Sequence, residues 1–168
     1  SRILPFMEGN NDNLHFVYGS SPVRGLEHVL VVWPRIRQAL YEQVGRLATL
    51  SVYYGFPPKV VEQLRKSMGS DKFDSFYTRV TDLLKQPGVA YYGAVSHEVL
   101  ATAYASAGFL LYPTQYPETG CITVQKAMAS GAIPITSKYV TSVLPSLTVP
   151  HDMGPSVPLR PDMEYMTW

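Results

Sequence analysis

Cysteine occurs once, at Cys121, so the chain cannot close an internal disulfide, and no Cys-x-x-Cys pair is present to hold a metal. A lone thiol fits a reducing, cytoplasmic setting. Charge is scarce as well. Charged residues make up 16% of the sequence, and 14 Lys and Arg stand against 13 Asp and Glu for a net +1. That balance gives no broad basic face, so nucleic acid is not expected as a partner. The longest apolar run, Val29 to Trp33, falls far short of the roughly 20 residues that span a bilayer, and no charged-then-apolar leader opens the sequence. A soluble domain without a membrane span is expected. What the sequence does have is apolar residues, 46% of 168, far from the charge-rich composition of disordered chains. At this length roughly two thirds of the unfolded surface can be buried in one core.

Short β-like runs recur, each closed by Gly, Ser or Pro and followed by a helical stretch. His15 to Tyr18 ends at Gly19-Ser20-Ser21-Pro22, and Leu26, Val29, Leu30 and Trp33 then recur at helical spacing. Pro34 is expected to bend or restart that helix, because its ring removes an N–H and crowds the carbonyl four residues back. Leu50 to Tyr54 reads as a second strand, with Pro57-Pro58 opening the helix of Val60, Val61, Leu64 and Met68. A further helix carries Phe73, Phe76, Tyr77, Val80, Leu83 and Leu84, with Asp71 as its expected cap. Val89 to Tyr92, Phe109 to Tyr112 and Ile133 to Thr136 are the remaining strands. Between them lie a helix capped by Ser96 and a short one through Val124, Ala127, Met128 and Gly131. This alternation predicts an α/β fold, a Rossmann-like parallel sheet of about five or six strands flanked by helices. Beyond Ser137 the pattern weakens. Pro145, Pro150, Pro155, Pro158 and Pro161 should break regular structure there, and residues 151–168 read as an irregular Pro-rich tail.

In such a sheet ligands bind at the carboxyl ends of the strands. Gly19, Ser20 and Ser21 after the first strand allow close backbone approach, and Arg24 offers a guanidinium to an anion. A plain strand-to-helix turn with a solvated arginine is the alternative. Gly93, Val95 and Ser96 after the third strand suit a base edge read by backbone groups, while His97 reads as solvated surface. The segment Pro117-Glu118-Thr119-Gly120-Cys121-Ile122-Thr123 leads into a helix. Its start would present unpaired N–H groups and about half a positive charge to a phosphate. Glu118 suits sugar hydroxyls, or else only the helix dipole. Cys121 reads as a small buried residue, since nothing near it in sequence would activate a nucleophile.

These residues resemble a known family, the retaining glycosyltransferases of the GT-B fold similar to sucrose synthase and glycogen synthase. Tyr18 to Leu26 with Trp33-Pro34 resembles the family's first phosphate loop. Tyr53 to Phe56 and Tyr92 to Leu100 are similar to its second and third strand ends. Ala107 to Glu118 and Lys126 to Ile135 resemble its signature block. The resemblance implies that residues 1–150 form a C-terminal domain binding a nucleoside diphosphate sugar, which is the donor substrate rather than a cofactor. An N-terminal acceptor domain would lie in the same or a companion chain. It implies Arg24 at the phosphate-binding lysine's place and Glu118, contacting the transferred sugar, as the catalytic pair. The donor would meet Gly19, Ser20, Ser21, Gly93, Val95, Ser96, Thr119, Gly120, Cys121, Ile122 and Thr123, with no metal required. Lys126 stands where the family has a second glutamate on the ribose, and an ammonium cannot accept hydroxyl protons. Ser20 replaces a first-loop arginine.

The leading expectation is therefore a donor domain of a hexosyltransferase, inert when isolated because the acceptor side is missing. The alternative is a catalytically degenerate relative used for interaction or scaffolding. A flavodoxin-like or sugar-phosphate module ranks last.

Overall fold

The computed structural model describes residues 12–138 and 142–148; the Pro-rich stretch at 151–168 lies outside the described residues. Five strands form one wholly parallel sheet: β1 (Asp12–Tyr18), β2 (Thr49–Tyr53), β3 (Val89–Gly93), β4 (Ala107–Tyr112) and β5 (Ile133–Thr136). Helices α1 (Leu26–Val44), α2 (Pro58–Met68), α3 (Ser70–Leu83), α4 (His97–Ser106) and α5 (Ile122–Ala129) connect them, and a last short turn of helix, α6, covers Leu144–Leu147. The strand order is β3-β2-β1-β4-β5. The chain thus builds outward from β1 to β3, then returns to lay β4 on the other side of β1. The switch in strand order between β1 and β4 is the place where open parallel sheets form their ligand crevice, at the carboxyl ends of the strands.

The central strands are apolar because parallel strands covered on both faces have no polar side to show. Phe16, Val17 and Tyr18 of β1, Leu50 and Val52 of β2, and Leu110, Leu111 and Tyr112 of β4 are all buried. Phe16 stacks on Phe109 at 5.0 Å and meets Trp33 edge-on at 5.7 Å. Trp33, wholly buried, donates its indole N–H to the Pro87 carbonyl at 3.2 Å. Each such Leu or Phe contributes about 1.5–3 kcal/mol by leaving water. β3 is an edge strand, with Tyr91 and Tyr92 exposed.

Several local expectations are corrected. Pro34 does not restart α1, which runs as one helix of 19 residues with the proline inside it. The carbonyl that a proline at 34 leaves without its helical donor is that of Leu30, and the Gln86 side-chain amide donates to it at 2.8 Å. Asp71 is not a cap. Gly69, at φ +83, separates α2 from α3 and takes the cap position, which puts Asp71 in the first turn, where its charge favours the dipole. β1 begins three residues before His15, at Asp12. Gly131 lies past the end of α5, at φ +89. Pro145 sits inside α6, in the first turn, where a proline costs no hydrogen bond.

Candidate functional site

The first loop is shaped by bonds within the fold. Tyr18 donates its hydroxyl to the Ser21 carbonyl at 2.7 Å, and the Arg24 N–H donates to the same oxygen at 2.9 Å, closing a 3-10 turn over Pro22–Arg24. Gly25 then sits at φ +100, and a Cβ there would overlap the Pro113 carbonyl oxygen. This glycine is therefore required by the close approach of the β1 and β4 loops, not by a ligand. Gly19 is backed by α4, whose Tyr104 hydroxyl donates to the Gly19 carbonyl at 3.3 Å.

The β4 loop folds back over the end of its own strand. Tyr112, the last residue of β4, donates its hydroxyl to Glu118 Oε1 at 2.7 Å, six residues further on. The Glu118 carbonyl accepts from the Val143 N–H at 2.7 Å, which anchors the loop from outside. Arg24 donates a charged hydrogen bond to the same carboxylate oxygen, so the two residues expected to be catalytic are partners of each other. Glu118 is buried, and the Arg24 side chain is about a quarter exposed. Burial works to lower the Arg24 pKa, but Tyr112 and Glu118 together outweigh it and hold the guanidinium more firmly charged. Tyr112 is pushed up, first by burial and then by its bond to Glu118, with a hydrogen bond to Ser20 pulling the other way.

Cys121 caps α5 and turns inward, 3% exposed. Burial raises its thiol pKa, and the nearby N–H groups of Val124 and Thr123 only partly offset this, without closing a capping hydrogen bond. A protonated, buried thiol is not a nucleophile. The start of α5 is left open instead. Thr119, Gly120 and Ile122 are exposed, and a Cβ on Gly120 would meet nothing within 4 Å. Among the described residues no acceptor meets the N–H groups of Gly120, Cys121 or Ile122.

The β3 loop is more committed to structure than expected. Ser96 accepts from the Val99 N–H at 3.3 Å as the cap of α4, the Gly93 carbonyl accepts from the Tyr54 N–H at 2.7 Å, and Val95 packs partly against the core. His97, exposed as expected, lies 3.5 Å from the Lys126 ammonium, which links the start of α4 to α5. The structure joins Arg24 and Glu118 directly, sets Gly120–Thr123 two residues further along the same loop, and brings the β3 loop to α5 only at its far end, through His97 and Lys126. Two residues of the site escaped sequence reasoning. Tyr112 closes a strand, the position where a side chain faces the crevice, and that was a usable signal. Tyr116, whose ring lies 3.8 Å below the Arg24 guanidinium, gave none.

A shallow depression elsewhere, along α3 between Asp74 and Leu83, takes in no strand-end residue. No described helix is long and apolar enough to cross a membrane. No protein-family model and no curated protein matches the sequence. Solved structures do. The chain is similar to part of a GtfA/B complex, with a TM-score of 0.61 and 16% identity over 94% of this chain and 27% of that one. It is similar also to a UDP-forming α,α-trehalose-phosphate synthase from Burkholderia xenovorans, with a TM-score of 0.53 and 10% identity over 77% of this chain and 31% of that one. The chain spans less than a third of either. At these identities the likeness establishes the fold alone, a parallel Rossmann-like α/β domain shared with part of each of those structures.

Proposed function

We propose that this chain is the donor-binding domain of a glycosyltransferase and holds a nucleoside diphosphate sugar across the carboxyl ends of β1 and β4. The observation that carries the reading is the Arg24–Glu118 pair set beside the open start of α5. A diphosphate has the charge to compete with Glu118 for Arg24 and the oxygens to accept from the free N–H groups of Gly120 to Ile122. Once Arg24 turns to the phosphate, Glu118 keeps its bond from Tyr112 and has acceptor capacity left for a sugar hydroxyl. As the glycosidic bond breaks, charge grows on the leaving diphosphate. Donors already in place stabilise it without reorganising. The acceptor and the other wall of the cleft belong to a second domain, in the same or a companion chain; one matched structure is itself a complex. The other is named as UDP-forming, which makes UDP the first nucleotide to try.

Calorimetric titration of UDP and GDP into the chain tests this. Binding is expected for at least one of them, and Arg24→Ala should weaken it by about tenfold, the worth of one charged hydrogen bond. No heat at millimolar nucleotide, in wild type and variant alike, would contradict the reading.

A second reading, an interaction or scaffolding domain, is favoured by one observation. The cations of the crevice are already matched internally, Arg24 by Glu118 and Lys126 by His97. It requires that the full-length protein transfer no sugar from any nucleotide sugar. Transfer that Glu118→Gln abolishes would end it.

A further inference from the structure

Tyr116 is held with unusual firmness for a ring that is 53% exposed. Its loop runs between Pro113 and Pro117, two residues of fixed φ. Its own N–H donates to Thr114 Oγ1 at 3.1 Å, and Thr114 is wholly buried, with its carbonyl taken by the Ser137 hydroxyl. One face of the ring is covered by the Arg24 guanidinium at 3.8 Å. Among the described residues no other ring packs on it. The rest of the side chain is open to solvent, and the guanidinium that covers the ring is the one bonded to Glu118, so ring and carboxylate flank a single arginine.

From this geometry we infer that Tyr116 is a stacking platform for the sugar ring of the donor, and so a residue that sets affinity for the nucleotide sugar over the bare nucleotide. The inference rests on the donor-binding reading above. A hexose presents one face of C–H groups and an edge of hydroxyls. The aromatic face of Tyr116 suits the first, and the neighbouring Glu118 carboxylate suits the second. The base is a poorer occupant. The strand order ends β3, where the base-reading backbone groups begin at Gly93, on the far side of β1 from β4, and Tyr116 follows β4. The guanidinium polarises the same ring from its covered side, so a phosphate on Arg24 and a sugar on Tyr116 would lie on adjacent surfaces.

The test compares affinities of UDP, GDP, UDP-glucose and GDP-mannose for the chain and its variants by calorimetry. For whichever base binds, Tyr116→Ala should weaken the nucleotide sugar by about five- to tenfold while changing the nucleotide diphosphate by less than about twofold, and Tyr116→Phe should restore both. Equal losses for sugar and diphosphate would show that Tyr116 acts only by steadying Arg24, and no loss for either would show that it is idle; both overturn the inference and leave the donor-binding reading standing. Binding of none of the four probes by the wild-type chain removes the donor-binding reading itself and this inference with it.

Discussion

At the scale of single residues, the site is organised by tyrosine hydroxyls as much as by charge. Tyr18, Tyr104 and Tyr112 each hold a loop carbonyl or carboxylate, and burial is the main cause of a raised phenol pKa in all three. An acid whose pKa rises on folding stabilises the fold fully below its unfolded value, about 10 for tyrosine, and loses that contribution as pH climbs toward the folded value. The domain should therefore unfold in alkali, beginning above about pH 10. Spectrophotometric titration of the 12 tyrosines should show an early reversible group and a late group that ionises only as near-ultraviolet circular dichroism is lost. One reversible step for all of them, with the fold intact, would contradict the burial described. The pairing of Arg24 with Glu118 belongs to this scale too. It joins positions 94 residues apart, so the sequence offered each residue as a candidate but could not show that they satisfy one another.

At the scale of elements, period and punctuation were legible, while compensation from elsewhere was not. Strands and helices follow the alternation of apolar runs and breakers closely, because parallel strands buried on both faces are continuous and apolar. The expected restart at Pro34 does not occur, for a reason no local rule can see. The Leu30 carbonyl, left without its helical donor, is satisfied by Gln86, from the loop before β3. Gly25 is the opposite case, a residue whose motif was legible but whose cause was not. Its φ of +100 and the Pro113 carbonyl beside it forbid a side chain whatever the ligand. Gly25→Ala is expected to cost about 2 kcal/mol or more, a fall in Tm of roughly 5 °C, read by thermal unfolding. An unchanged Tm would mean that the two loops do not meet as described.

At the scale of the whole molecule, the sheet order decides what the loops can do together. Because β4 returns beside β1, the Arg24 turn and the Glu118 loop face each other across one crevice, and α5 opens onto it. The fold class and the number of strands were readable from the order of runs. What depends on three-dimensional proximity, such as the roles of Tyr112 and Tyr116, was not. The chain spans 27% and 31% of the two structures it matches, and donor binding is the part of the proposal that can be asked of this chain alone. The most direct measurement is an amide-resolved NMR titration with UDP and with GDP. The account predicts that the largest shifts fall on the amides of Gly120, Cys121 and Ile122, with the Arg24 side-chain signal moving as it leaves Glu118. Shifts confined to other surfaces, or none at millimolar nucleotide, would contradict it.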